Sequence, residues 1–433
     1  MNHKIYPIGI QNFESLRQDG YFYIDKTALM YQMVKTGRYY FLSRPRRFGK
    51  SLLISTLEAY FQGKKELFTG LMVEKLEKDW IEHPILHLDL NIEKYDALES
   101  LDNILDKSLT AWEKLYGAEP SERSFSLRFA GIIERACQKT GQRVVILVDE
   151  YDKPMLQAIG NEDLQKQFRD TLKPFYGALK TMDGCIKFAL LTGVTKFGKV
   201  SVFSDLNNLK DISMDERFVD ICGITEKEIH DNLEEELHQL AEKQKMSYEQ
   251  VCAELKECYD GYHFMEHTIG IYNPFSLLNT FDKMKFGSYW FETGTPTYLV
   301  NLLKKHHYDL ERMAHEETDE QVLNSIDSES SNPIPVIYQS GYLTIKGYDE
   351  EFGIYRLGFP NREVEEGFVR FLLPYYANVN KVESPFEIQK FVREVRSGDY
   401  NSFFRRLQSF FADTGYDVIR AQELHYENVL FIV

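Results

Sequence analysis

Between residues 38 and 225 the chain alternates short, almost unbroken apolar runs with longer segments of helical spacing. RYYFLSRP (38–45), PILHLDL (84–90), RVVILVDE (143–150) and CIKFALLTG (185–193) are the runs, and FVDICGIT (218–225) is a shorter fifth. Runs of this length, rich in branched residues, predict strands buried on both faces. Between them, 51–61 places Leu52, Leu53, Leu57 and Phe61 at helical intervals, and two further helices are predicted over roughly 98–116 and 126–139. The alternation predicts an α/β fold: a parallel sheet with helices on both faces.

The pattern changes after about 225. Residues 226–259 read as charged amphipathic helices, followed by the aromatic cluster YDGYHF (259–264) and a helix start at NPFSLLN. The stretch 297–350 predicts a helix and an acidic loop, ETDEQVLNSIDSESSNP. GYLTI and GIYRLGF then form two arms of a hairpin joined at GYDEEF. Helices followed by a hairpin predict a winged-helix-like unit. Residues 385–433 are helical again and stop in the apolar HYENVLFIV, which reads as a chain cut short of a further domain. The expected organisation is a core over 1–225, a helical lid over 226–296, the winged-helix-like unit over 297–380, and a helical linker over 381–433. There is no internal repeat or low-complexity tract.

Composition narrows the function classes. The 433 residues carry a formal net charge of -16, which disfavours binding to a polyanion over the whole surface. Aromatics reach 14%, with 30 Phe and 27 Tyr, which fits large aromatic cores. The five cysteines, Cys137, Cys185, Cys222, Cys252 and Cys258, contain no C-x-x-C pair, so neither a zinc site nor a disulfide framework is indicated, and a reducing cytoplasm fits. No run of about 18 apolar residues predicts a membrane span.

The candidate chemistry begins at SRPRRFGKSL (43–52). A phosphate-binding loop needs inward-pointing backbone N–H groups, a lysine for the terminal phosphates and a hydroxyl for Mg²⁺, between a strand and a helix. Gly49, Lys50 and Ser51 fill the last three positions, while Arg44 stands where the first glycine belongs. A strand precedes the loop and a helix follows at once, as the motif demands. The alternative is a basic turn capped by Ser51. The second motif is VVILVDE, which puts Asp149 and Glu150 at the carboxyl end of a buried strand, where open α/β sheets bind ligands. Asp149 suits Mg²⁺ and Glu150 suits a general base for the attacking water. Asp152 reads as structural or as a support to these acids. Thr192 ends another buried strand and could sense the γ-phosphate or simply cap the junction. Arg46, Arg47, Lys196, Lys199 and Arg217 are candidates for charge stabilisation.

FYIDKT, RPRRFGKSLL, VDEYDKP, LLTGVTKFGK, LNNLKDIS, YDGYHF and GFPNREV, in this order, resemble the bacterial AAA-ATPase-like proteins, relatives of the archaeal ATPases and STAND NTPases. The resemblance covers nearly the whole chain. It implies an ASCE/AAA+-like P-loop NTPase module, ATP and Mg²⁺ as cofactors, and, in the family, a C-terminal nuclease-like domain of the PD-(D/E)XK type, whose strands, acids and lysine are missing here. It also implies that Arg44 belongs to the family's loop, that Arg46, Arg47, Phe48, Gly49, Lys50, Ser51 and Leu52 bind the nucleotide, with Gly49, Lys50 and Ser51 on its phosphates, and that Ser51 and Asp149 hold Mg²⁺. Glu150, Lys50 and Thr192 are the implied catalytic residues. Tyr23, Asp25 and Lys26 resemble an element lying against the nucleotide base, with a helix cap at Asp25-Lys26-Thr27 as the alternative.

The expected function is a Mg²⁺-dependent ATPase acting as a nucleotide-gated switch for a C-terminal effector, contacted through the winged-helix-like unit, with oligomers allowed. A non-hydrolysing nucleotide-binding scaffold is one alternative. A DNA-binding winged helix is another, served by the basic spot Lys304, Lys305, His306 and His307 but opposed by EETDEQ and DSESS.

Overall fold

The computed structural model describes residues 4–196, 203, 206, 208–291, 297–324, 332–376, 384–412 and 427–430. Its centre is a five-stranded sheet made of β1 (Tyr39–Ser43), β2 (Ile85–Asp89), β3 (Val144–Asp149), β4 (Ile186–Gly193) and β5 (Lys210–Asp211), in the order β2-β3-β4-β1-β5. Every neighbouring pair is parallel. Side chains alternate between two cores. Tyr40, Leu42, Val145, Leu147, Phe188 and Leu190 pack with Leu53 and Leu57 of the helix Lys50–Phe61. Tyr39, Phe41, Val144, Ile146, Val148 and Leu191 pack with Leu105, Ile132 and Leu172 from the helices Leu98–Tyr116, Phe125–Thr140 and Glu162–Thr181. The sheet is therefore covered on both faces, as the apolar runs predict.

The register aligns the strand ends that matter. Leu42 and Ser43 of β1 lie opposite Thr192 and Gly193 of β4, and Asp89 of β2 lies opposite Asp149 of β3. β4 separates β1 from β3, so the chains leaving those two strands stand roughly 10 Å apart at ordinary strand spacing. That gap is wide enough for a phosphate chain.

The predicted fifth strand is wrong. Within 218–225 only Ile224–Thr225 is extended, and it pairs antiparallel with Ile271–Tyr272 in a separate small sheet. Gly223, at φ +97°, turns the chain beforehand, while Phe218 and Ile221 plug the core instead of lining a ladder. The sheet's fifth strand is the two-residue β5, too short and too polar to show a period.

Beyond the sheet, the helices Glu226–Gln244 and Tyr248–Tyr259 each open with a capping box, Thr225 with Glu228 and Ser247 with Gln250. Asn273 caps the helix Pro274–Lys283. A helix (Thr297–Lys305), a strand (Glu317–Asp319), two short helices (Glu320–Asn324 and Ile334–Gln339) and a hairpin (Thr344–Asp349 with Ile354–Gly358) follow. The hairpin is where the sequence predicts it, and Glu317–Asp319 adds a third antiparallel strand. That strand and the helix after it replace the expected loop at ETDEQVLN. Their acids hide an inward set of Thr318 and Leu323, both buried. The helices Ser384–Ser397 and Tyr400–Ala412 continue the predicted helical character. No described helix is long and apolar enough to cross a membrane.

The two halves of the chain meet behind the loop that follows β1. Gly341, at φ +89°, lies so close to Pro45 that a Cβ there would sit 2.6 Å from the proline Cβ and 2.7 Å from its Cγ. Left-handed backbone and lack of space both demand glycine. Gly341→Ala is expected to lower unfolding free energy by about 2–4 kcal/mol, the sum of backbone strain and overpacking. A fall in the thermal midpoint checks this; an unchanged midpoint would contradict the packing.

Candidate functional site

β1 hands the chain to the loop at Arg44, whose N–H donates to Gly193 O at 3.2 Å. The Arg44 side chain turns back into the protein. Its Nη1 donates to Ser43 O (2.9 Å) and Ser213 O (2.8 Å), its Nη2 donates to Phe218 O (3.2 Å), and its guanidinium lies 4.0 Å from the centre of the Phe264 ring. Burial lowers its pKa to about 10, so it stays charged at neutral pH. Phe48 is buried too, with its ring edge-on to Tyr262 and Phe264, and its carbonyl accepts from Gly223 N at 3.1 Å. Arg46 O accepts from Trp290 Nε1 at 3.1 Å. The loop is thus held from behind by side chains and carbonyls.

Its front is open. Arg47 sits at φ +67° and Gly49 at φ +96°, and Gly49 is the N-cap of the helix Lys50–Phe61. Among the described residues, the N–H groups of Arg46, Arg47, Gly49, Lys50 and Ser51 find no acceptor. Successive free amides at a helix N-terminus form an anion cradle. The Lys50 ammonium donates to Arg44 O (3.0 Å) and Pro45 O (3.3 Å) and stands 3.6 Å from Glu150 Oε1.

The acids are held by the neighbouring strand. Thr192 Oγ1 donates to Asp149 Oδ1 at 2.6 Å, and Glu150 N donates to the same oxygen at 3.1 Å. Thr192 is fully buried, so in this structure its hydroxyl orients Asp149 from below. Glu150 adopts φ +54°, a strained conformation for a glutamate, which throws its side chain toward Lys50. Asp152 turns the other way. Its carboxylate accepts from Val194 N (3.2 Å), Thr195 N (2.6 Å) and Thr195 Oγ1 (2.7 Å), pinning the chain after β4. It is a structural residue, as the sequence suggests.

Two joined cavities open on this loop. A cleft of about 580 Å³ is lined by Arg46, Arg47, Lys50, Ser51, Glu150 and Lys153, among others. An adjoining apolar pocket of about 100 Å³ is lined by Tyr23, Ile24, Lys26, Phe48, Ile221 and Cys222, among others. Gly49, Leu52, Pro7, Pro274 and Leu278 border both. Tyr23 faces the pocket, with its phenol pKa raised by burial. Asp25 instead accepts from Thr27 N (2.8 Å) and Met72 N (2.7 Å), acting as a local cap, and Lys26 pairs with Glu228 at 2.6 Å.

Of the cationic candidates, Arg46 and Arg47 reach the cleft, the latter with its guanidinium 5.0 Å from the Phe275 ring centre. Lys196 does not line it: it is buried, pairs with Asp211 at 2.9 Å, donates to Asn324 Oδ1, and takes Gln339 Oε1 on its backbone N–H. Arg217 pairs with Asp215 at the surface. Lys199 lies outside the described residues. Sequence reasoning missed Asn91, Lys153 and Gln157, and the walls formed by 7–11 and 274–278. Lys153 was legible in VDEYDKP, four residues after Asp149; the others become neighbours only through the tertiary fold.

Asp152 also sets a pH signature. Burial, and then the charge of Glu150, push its carboxyl up from 3.8 to about 6. Between about pH 4 and 6 the folded protein holds a proton that the unfolded chain has released. The stabilisation is therefore full below that window and is lost as pH rises through it. In urea unfolding, the advantage of wild type over Asp152→Asn is expected to be larger at pH 4.5 than at pH 7. A difference independent of pH would contradict the assignment.

A family model described as Predicted AAA-ATPase matches residues 7–203, which contain the loop, both acids and Thr192. A curated relative from Azotobacter chroococcum mcd 1, described as an uncharacterized protein in the vnfD 5' region, is 38% identical over 381 residues, covering 87% of this chain and 71% of the relative. With the sheet order, the cradle of free amides and the paired acids, these matches place the chain in the AAA-ATPase-like family.

Proposed function

We propose that this protein binds ATP with Mg²⁺ and hydrolyses it, and that occupancy of the loop is passed to the carboxyl-terminal half. The observation that carries the reading is the set of unpaired amides at Arg46, Arg47, Gly49, Lys50 and Ser51, residues that line the same cleft as Glu150. The apolar pocket beside Gly49 would take the base, and the phosphates would run past Lys50 toward Glu150.

The residues present suit Mg²⁺. The Ser51 hydroxyl and the Asp149 carboxylate are hard oxygen donors, and Asp149 commits Oδ1 to Thr192 and Glu150 N while leaving its other oxygen available. The ion, when held by these residues, would supply charge neutralisation to the phosphate oxygens. In hydrolysis the bond between the γ-phosphorus and its bridging oxygen breaks, a bond to a water oxygen forms, and Glu150 takes the water's proton. Lys50 and the loop amides hold the charge that builds on the phosphate oxygens.

The switch reading rests on the packing behind the loop. Pro45 meets Gly341, Arg46 O meets Trp290, and Lys196 binds Asn324 and Gln339. We read 297–380 as a winged-helix-like unit that contacts protein, either a partner or a further domain of its own chain. Duplex DNA is disfavoured by the acids along its sheet, Glu317 and Asp319 on one edge and Asp349 at the turn.

Calorimetric titration of Mg·ATP is expected to give saturable binding for wild type and at least a tenfold loss for Lys50→Ala, about 1.4 kcal/mol or more. Glu150→Gln is expected to keep binding and to lose about 10²–10⁴-fold in turnover. Undiminished turnover in Glu150→Gln, or equal binding in Lys50→Ala, would overturn the reading.

A further inference from the structure

The cleft contains a second lysine that no sequence argument singled out. Lys153 opens the short helix Lys153–Gln157, three residues after Glu150, and its backbone N–H donates to Glu150 O at 3.0 Å. Its ammonium donates to two oxygens of one residue, Asn91 O at 2.5 Å and Asn91 Oδ1 at 2.9 Å. Asn91 is fixed in turn: its N–H donates to Asp89 Oδ1 at 2.7 Å, and Asp89 lies opposite Asp149 across β2 and β3. Gln157 braces the same wall by accepting from Tyr95 N at 2.8 Å. The ammonium is therefore held by a loop whose position is set by the strand that carries the acids.

Among the described residues no carboxylate lies within ion-pair distance of Lys153 Nζ, whereas Lys50 has Glu150 and Lys26 has Glu228. Burial lowers the Lys153 pKa, and the charges of Glu150 and Asp89, which form no close ion pair with it, offset this only in part. A cation in that condition, at the wall of a cleft, gains most from an incoming anion.

The lining residues give the nucleotide's direction. Glu150, Lys153, Asn91 and Gln157 border the large cleft but not the apolar pocket, which lies at the other side of Gly49. With the base in that pocket and the phosphates along the loop, the terminal phosphate arrives between Lys50 and Lys153. We infer that Lys153, positioned by Asn91, contacts the γ-phosphate of the bound triphosphate and makes the site distinguish triphosphate from diphosphate. This rests on the nucleotide reading above. It gives the cleft a second cation supplied by the same chain, to meet the negative charge that concentrates as the terminal phosphoryl group departs.

The test compares binding of Mg·ADP and of the Mg complex of the β,γ-imido ATP analogue by calorimetry, in wild type, Lys153→Gln, Lys153→Arg and Asn91→Ala. Lys153→Gln is expected to leave ADP affinity within about twofold and to weaken the triphosphate about tenfold, a loss of roughly 1.4 kcal/mol for one charge-assisted contact. Lys153→Arg should retain most of the discrimination. Asn91→Ala keeps the ammonium but frees it, so the ratio should fall by a smaller factor; this variant also carries the test if Lys153→Gln does not fold. An unchanged ratio in Lys153→Gln and Asn91→Ala, or equal weakening of both nucleotides, would overturn the inference while leaving nucleotide binding intact. Failure of wild type to bind either nucleotide would instead overturn the reading on which it rests.

Discussion

The buried guanidinium of Arg44 is the contact on which the rest of the site depends. A phosphate loop must present consecutive N–H groups to one point, and that requires the backbone to be held from outside the cradle. Here the holding is done by a side chain at the position where such loops carry glycine. Arg44 leaves the loop backward, spends its donors on the carbonyls of Ser43, Ser213 and Phe218, and stacks on Phe264. A charge buried among carbonyls and an aromatic face is costly to expose unsatisfied, so the loop cannot relax without breaking several contacts together. With Arg44 anchored, Arg47 and Gly49 can occupy left-handed backbone and leave the amides free in front.

That anchoring ties the cradle to distant parts of the chain. Ser213, Phe218, Gly223, Tyr262, Phe264, Trp290 and Gly341 all touch the loop's rear, and Lys196 continues the contact from the end of β4 to Asn324 and Gln339. These contacts form a continuous packed layer between the cleft and the antiparallel sheet of 317–358. A shift of the loop backbone on taking up an anion would press on that layer, which is the premise of the switch proposed above.

Much of this was readable in the chain. The apolar runs at 39–43, 144–149 and 186–193 are strands because branched and aromatic residues fill both faces, and G-K-S marks the helix start because only glycine serves the left-handed N-cap there. The acids at 149 and 150 were legible from their place after an apolar run. Other features were hidden for identifiable reasons. β5 is two residues long, so no period exists to detect. Phe218 and Ile221 share the composition of a strand but serve as plugs. Thr192 was legible as a strand-end hydroxyl, but its partner, Asp149, lies 43 residues away and is set by strand order. The same holds for Asn91 and Lys153, and for Arg44, whose partners lie some 170 residues downstream.

The most direct measurement of the central claim is amide hydrogen exchange, resolved by residue, with and without a Mg·ATP analogue. N–H groups that lack an acceptor exchange fast, and they slow when a phosphate takes them up. Slowed exchange is expected at Arg46 to Ser51, at Glu150 to Lys153, and in the packed layer at 337–345 behind the loop. Exchange at Arg46 to Ser51 that is equally fast under saturating analogue, or protection confined to some other surface, would contradict it.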